Sequence, residues 1–388
     1  MPSTQAATSS QHLGSLDGLR GAMALWVLTG HVFTSTGATR IPVIASPSYA
    51  VDGFMLLSGF LMTWHYSLRA EKEPWTSWRT WAAFWVRRFF RISPLYYLLL
   101  IPSYIMIGSY AKWQETTHHL QRGTGNLNLP ITWQHVLSHV TYAFGVMPKF
   151  HSSLPLPDWS ISLEMQFYLA FPFLMLLVLR FGWPIFCIFA GLVWTICNMP
   201  SMGLVQAYSG LPSPLWLSLL WFAVGMIWAG GYASSGAARK RAIVMGLGLC
   251  LLSRDIHDIS LIAVFALILF LGDVPVLGPI IARLRLLLSG RIAKFMADSS
   301  YVVYLVHLLI LRALAYALLV RTGLSPNERG IVAFVLTVAA SYSLAALLGP
   351  VERWGISVGR RVSSRISAIG RRTANTALGA AKPEQAPA

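Results

Sequence analysis

Apolar runs long enough to cross a lipid bilayer recur along almost the whole chain, and they constrain its fold more than any other feature. A hydrocarbon core about 30 Å thick asks for about 20 apolar residues per helical crossing. Backbone N–H and C=O groups find no water there, so each such run must satisfy its own hydrogen bonds as a helix. The runs give ten candidate spans: 18–37, 50–68, 92–110, 160–180, 182–200, 212–232, 242–253, 256–272, 298–320 and 331–349. The expected fold class is all-α, a polytopic membrane bundle of about ten transmembrane helices with no soluble domain. Composition agrees: 55% of the residues are hydrophobic and 11% charged, with a mean hydropathy of +0.58. A soluble domain carries about twice that charge.

The net charge of +16 would suit nucleic acid, but a membrane protein collects Lys and Arg in its cytoplasmic loops. The loop after the second span carries Arg69, Lys72, Arg79, Arg87, Arg88 and Arg91 and is therefore expected inside, with both termini. That choice puts 22 of the 30 basic residues at the cytoplasmic side, 7 outside, and Arg312 within a span. Making 131–147 a further span would put Arg239-Lys240-Arg241 outside. Residues 111–159 thus read as one external segment, with 131–147 an interfacial or partly re-entrant helix whose Trp133, His135, His139 and Tyr142 suit a wet boundary. Three units are expected: a disordered segment 1–15 without signal-peptide character, a membrane domain 16–352, and a basic cytoplasmic tail 353–388 lying on the anionic inner leaflet. Cys187, Cys197 and Cys250 lie in apolar segments at no metal-binding spacing, so no metal site or disulfide is expected.

Ionisable residues inside spans are costly and usually functional. In LDGLRGAMALWVLTGHVF, Arg20 opens the first span and His31 follows eleven residues later, about 16 Å up the helix and nearly on the same face. Asp52 enters the second span from outside, with Ser58 and Gly59 deeper. Glu164 enters the fourth, and His307 lies near the middle of the ninth. His31, Asp52, Glu164 and His307 fall at middle-to-outer depth; Arg20, Arg88 and Arg91 fall at the inner face. Plainer roles exist for several: a helix end for Asp52, a first-turn acid for Glu164, a small-residue seam for Ser58-Gly59, hydrogen-bonded packing for His307, topology signals for the arginines.

The same segments form recognisable text. LDGLRGAMALWVLTGH, VDGFMLLSGFLM, FWVRRFFRISPLYYL, WSISLEMQFYLAFP and SSYVVYLVHLLIL resemble, in order, the blocks of the membrane-bound acyltransferase 3 family, bacterial O-acyltransferases acting on carbohydrates. The Arg-x10-His element is Arg20 to His31, the Arg-x-x-Arg element Arg88 to Arg91, and the Ser-Leu-Glu-x-x-Phe-Tyr block Ser162 to Tyr168. The resemblance implies a multi-pass protein of the bacterial inner (plasma) membrane. It would transfer an acyl group, expected to be acetyl, from acyl-CoA to a carbohydrate hydroxyl of an exopolysaccharide, lipopolysaccharide or other glycan. Many relatives carry an extra helix and an extracellular hydrolase-like domain. The chain ends 36 residues past Glu352 and is expected to lack both, leaving room for a partner such as a polysaccharide-assembly protein.

On this reading the catalytic candidates are His31, Asp52, Glu164, His307 and Ser58, and Arg20, Arg88 and Arg91 bind the donor. No permanently bound cofactor is expected; acetyl-CoA, or another acyl-CoA, is a substrate. Arginine suits its phosphates, with Arg20 nearer the thioester. His31 would be the general base, oriented by Asp52 or Glu164, with Ser58 or His307 donating to the oxyanion; an acyl-His31 intermediate is a variant. Trp133, Tyr142 and Trp159 are candidate sugar-stacking surfaces. Alternatives are an acyltransferase for a small secondary metabolite such as a macrolide sugar, and a glycolipid or acyl transporter, which would typically show paired repeats and broken helices.

Overall fold

The computed structural model describes residues 3–117, 127, 129–208, 211–232, 234–253, 255–270 and 277–380. The AKPEQAPA segment lies outside them, as do the side chains of Arg371 and Arg372. Every regular element among the described residues is a helix. In chain order they are α1 (Ser3–Thr36), α2 (Pro47–Ser67), α3 (Trp78–Thr117), α4 (Trp133–Val140), α5 (Trp159–Cys197), α6 (Leu204–Ala207), α7 (Leu215–Tyr232), α8 (Gly236–Cys250), α9 (Ile256–Phe270), α10 (Gly278–Leu288), α11 (Arg291–Arg321) and α12 (Pro326–Ala380).

Each apolar run coincides with helix. The fourth and fifth form the two arms of α5, which meet at Gly182 with φ 80° and ψ 171°. That conformation is open in practice only to glycine, and Pro184 opens the second arm near its first turn, where its missing N–H costs no helical bond. Among the described residues five helices qualify by length and apolarity to cross a membrane, within Trp78–Thr116, Trp159–Cys197, Leu215–Tyr232, Arg291–Arg321 and Pro326–Ser367; the remaining expected spans are the helices α1, α2, α8 and α9. The helices depart from the expected map at several places, α1 beginning at Ser3 and α12 continuing to Ala380. α3 starts fourteen residues before its apolar run, because the arginines that interrupt the run are good helix formers. α10 forms in the expected loop.

α7 is apolar all round and buried along most of its length, as a helix surrounded by helices must be. Around it pack α2, α5 and α8, while α11 packs against α1, α3 and α12. Segments expected on one side meet one another. Thr39 donates its N–H to Asn327, and Tyr208 and Ser213 donate to the carbonyls of Val146 and Gly145. At the other end Arg239 donates to the carbonyl of Phe270, and α12 crosses α3 with Gly355 against Phe90.

The segment before α5 is folded inward rather than laid at a boundary. Trp133 is exposed, but His135 and His139 of α4 are fully buried. Tyr97 and Tyr104 of α3 donate to the carbonyls of Val140 and His135, which fixes α4 on the bundle.

Candidate active site

A cavity of about 160 Å³ opens between α1, α2, α3, α5 and α11. Helical spacing explains what it collects. Arg88 and Arg91, three residues apart on α3, share a face that lines it; Arg87, about 100° round the helix, points away. Arg87 makes a bidentate pair with Glu73, at 3.1 and 2.8 Å, and donates to the Tyr66 hydroxyl at 2.6 Å. Arg88 instead stacks over Tyr168, 5.4 Å from its centroid, and its Nε is buried without a hydrogen-bond partner. Arg20 reaches the cavity from α1, 3.8 Å from Asp17.

Glu164 faces these cations from α5. Its Oε1 accepts from the Tyr168 hydroxyl, one turn along the helix, and from Ser58 Oγ at 3.4 Å. Three arginines, the Glu164 and Asp17 carboxylates, His65 and several hydroxyls thus share the walls with an apolar stretch of Phe54, Leu57, Leu61, Met62 and Ile161. Such a space matches a ligand with an anionic head and a slender, largely apolar arm.

At one end Tyr304 and Ser160 share a hydrogen bond of 2.5 Å. Beyond it lie the histidines, which do not line the cavity. The rings of His31 and His307 are 5.3 Å apart, and that of His307 is 5.9 Å from Tyr304. His307 is fully buried, and its Nδ1 donates to the Tyr304 carbonyl at 2.7 Å. Neither Asp52 nor Glu164 bonds His31. Asp52 faces Asp255 and Asp258, at the start of α9, and Tyr49 donates to Asp255 at 3.1 Å. Tyr142 is packed inside, stacked on Tyr96 at 5.0 Å with its hydroxyl bonded to Ser93, and Trp159 is half-buried.

Several residues enter the site unannounced. His65 lines the cavity from α2, its Nδ1 donating to the Leu61 carbonyl at 2.7 Å. It lies seven residues from Ser58, two turns along the same face. Ser160 and Tyr168 flank Glu164 at four-residue spacing, and Ser300, Tyr304 and His307 share a face of α11; periodicity applied outward from the charged residues would have found them. Above the histidines a second buried cluster joins Asp158 and His139, 3.6 Å apart, with the Tyr96 hydroxyl donating to Asp158 at 3.2 Å. Burial pushes the Asp158 carboxyl up to about 8 and the His139 imidazole down to about 3.

Comparison with known proteins follows this geometry. The chain is 25% identical to the peptidoglycan O-acetyltransferase OatA of Listeria monocytogenes, over 87% of this chain and 55% of that protein. It is 31% identical to the acyltransferase MdmB of Streptomyces mycarofaciens, over 41% of this chain and 38% of the other. Against the nose resistant to fluoxetine protein 6 of Caenorhabditis elegans it is 20% identical, over 54% and 28%. The chain thus spans about half the length of the first relative and less of the others. No solved structure matches it. The family model described as an acyltransferase domain matches residues 13–346, and the chain belongs to the acyltransferase 3 family.

Proposed function

We propose that this chain is an integral-membrane O-acyltransferase that moves an acyl group, acetyl first among them, from a cytoplasmic acyl-CoA to a hydroxyl of a carbohydrate. The observation that carries the reading is the single cavity in which Arg20, Arg88 and Arg91 converge beside an apolar wall. Acyl-CoA is polyanionic and cannot enter lipid; guanidinium groups bind its phosphates through paired charge-assisted hydrogen bonds, while the pantetheine arm follows the apolar wall inward. The chain crosses the bilayer ten times with both termini in the cytoplasm, and the acceptor approaches from the opposite side. A glycan acceptor is favoured by the relative that acetylates peptidoglycan; proteins of polysaccharide assembly would present it.

A sugar hydroxyl attacks a thioester only as its proton is removed, and an unprotonated imidazole is a group suited to take it. The paired rings of His31 and His307 supply that base. The C–S bond of the thioester breaks, the C–O bond of the ester forms, and the proton passes to the departing thiolate. For the thioester to reach the histidines, the Ser160–Tyr304 contact opens. Glu164, its carboxylate held by Tyr168 and Ser58, supplies a counter-charge within electrostatic reach of Arg20 and Arg88.

Purified protein in liposomes with radiolabelled acetyl-CoA tests the reading. Label passes to a supplied glycan in the wild type and not with His31→Ala, while CoA binding survives in that variant. Turnover by a folded His31→Ala protein would remove His31 from the chemistry, and absence of CoA binding in the wild type would remove the donor.

A further inference from the structure

The steps above leave Arg312 unused. It sits on α11, five residues beyond His307, in the apolar stretch VHLLILRALAY, about 7.5 Å further along the axis. Its Nη1 is shielded from solvent and has no hydrogen-bond partner. His307 carries a matching deficit of opposite sense. Carbonyl oxygens of Tyr304 and Val303 lie 2.7 and 3.2 Å from its Nδ1, and carbonyls only accept, so Nδ1 bears the ring proton. Nε2 is then a lone pair, and it too is buried without a partner. The orientation expected for an oxyanion donor is therefore reversed at this nitrogen. Arg312 lies within electrostatic reach of both imidazoles.

A buried donor or acceptor left unmet is uncommon in folded proteins, and here Arg312 Nη1 and His307 Nε2 both stand unmet without bonding each other, as does Oδ1 of Asp158, the carboxyl within electrostatic reach of Arg312. The pair sorts possible ligands by hydrogen-bonding sense. A phosphate or carboxylate would suit Arg312 but press its charge against the Nε2 lone pair. An ammonium would suit Nε2 but be repelled by the guanidinium. A carbonyl would meet Arg312 alone. A hydroxyl meets both: its hydrogen points to Nε2 and its oxygen accepts from Nη1.

We propose that His307 and Arg312 hold the acceptor hydroxyl, with His307 Nε2 as the first proton acceptor and Arg312 as the donor that steadies the oxygen. This rests on the acyl-transfer reading and deepens it, by assigning the acceptor's place and choosing between the two imidazoles. The O–H bond breaks as Nε2 takes the proton, and the freed electron pair forms the C–O bond at the thioester carbonyl. The C–S bond then breaks, and the thiolate recovers the proton from Nε2, so that His307 ends neutral. Arg312 keeps its charge throughout.

The test uses diethyl pyrocarbonate, which acylates unprotonated imidazole nitrogen, with His307 modification followed by peptide mass spectrometry on the full chain in liposomes. Uncharged methyl glycosides at high concentration serve as the hydroxyl probe. They should slow His307 modification in the wild type and fail to do so in Arg312→Gln. Acetyl-CoA turnover with the same probe should fall about 100-fold in His307→Gln and Arg312→Gln, the scale of losing one transition-state donor, with CoA affinity unchanged. Arg312→Lys, which keeps a charged donor, should retain part of the activity with a raised glycoside KM; this variant carries the test if the Gln variant does not fold. Turnover within about threefold of wild type in folded Arg312→Gln, or His307 modification indifferent to the glycosides, overturns the proposal. Protection of His307 without acetyl-CoA turnover would keep the hydroxyl site and remove the donor reading, and turnover with an unprotected His307 would do the reverse.

Discussion

Asp158 and His139 are buried where the segment before α5 packs on the bundle, and burial sets the protonation of each. His139 Nδ1 donates to the His135 carbonyl at 3.0 Å, its Nε2 lone pair stands 3.6 Å from the Asp158 carboxyl without a hydrogen bond, and the one proton the two groups hold resides on the acid. With Asp158 pushed up to about 8 and His139 held down to about 3 by burial, the folded pair keeps one proton across that range. Unfolded, the two hold one proton only between their ordinary values of 3.8 and 6.5. Stability changes with pH as the unfolded minus the folded proton count. It is therefore flat from 3.8 to 6.5, falls as pH rises from 6.5 towards 8 by about 2 kcal/mol, and falls as pH drops from 3.8 to 3. Hydrogen exchange of the α4 amides should accelerate between pH 6.5 and 8, and Asp158→Asn should erase that acceleration; an unchanged profile in the variant would assign it elsewhere. The adjacent arginines of α3 divide in the same residue-by-residue way. Removing Arg87 breaks its Glu73 and Tyr66 bonds, so Arg87→Ala should lower thermal stability by about 3 kcal/mol with little change in acetyl-CoA KM. Arg88→Lys keeps the charge but loses the planar fork, and should raise that KM about tenfold at nearly wild-type melting temperature; the opposite split would exchange their roles.

At the scale of elements, α2 and α7 are held by mutual absence of side chains. A β-carbon at Gly59 would collide with the Phe222 carbonyl, and one at Gly225 with the Leu56 carbonyl, so the two backbones pack at the distance small residues permit in a bilayer. Gly59→Ala and Gly225→Ala should each cost about 1–3 kcal/mol through overpacking, measured as loss of thermal stability in detergent. Because Ser58 lines the cavity from the next position, both should also lower turnover; unchanged stability would show that the crossing has slack. Helices such as α7 and α9 were legible in the sequence because an apolar run states its own period and length. The first three turns of α3 were not, because Arg87, Arg88 and Arg91 interrupt the run while leaving the helix intact, and α10 alternates Arg with Leu too briefly to register as a span. The candidate site was half legible by the same logic. Charged residues in apolar text announce themselves, as Arg20, Arg88, Arg91 and Glu164 do, but the structure gathers Glu164 and Ser58 with the arginines and not with His31. Depth in the bilayer follows from counting residues, but rotation about each helix axis does not. That is why Asp52, at suitable depth, turns to Asp255 and Asp258 instead of His31, and why Asp158, placed by the folding of 129–158, could not be anticipated.

For the molecule as a whole, the charge asymmetry and the cavity make one argument. The cations that line the cavity belong to the basic end of the bundle, the end at which Arg239 caps the Phe270 carbonyl, Arg285 donates to that of Ile268, and α12 carries Arg360, Arg361 and Arg365 beyond its apolar stretch. The opposite end holds α4, the Asp158–His139 pair and the acidic residues around Asp255. Cationic loops stay on the cytoplasmic side during insertion, so under the proposed function a cavity at the basic end would meet acyl-CoA without donor transport. The acceptor side then faces outward, and orientation becomes a functional claim that can be measured. With Cys187, Cys197 and Cys250 replaced by serine, single cysteines at the exposed positions Lys149 and Ser364 should divide cleanly in intact cells. Lys149→Cys should react with a membrane-impermeant maleimide at once, and Ser364→Cys only after the membrane is opened. The reverse pattern would put the arginines outside, where no acyl-CoA could reach them, and the acyl-transfer reading would fall with the topology; equal labelling of both in intact cells would require an odd-numbered error in the crossings between α4 and α12.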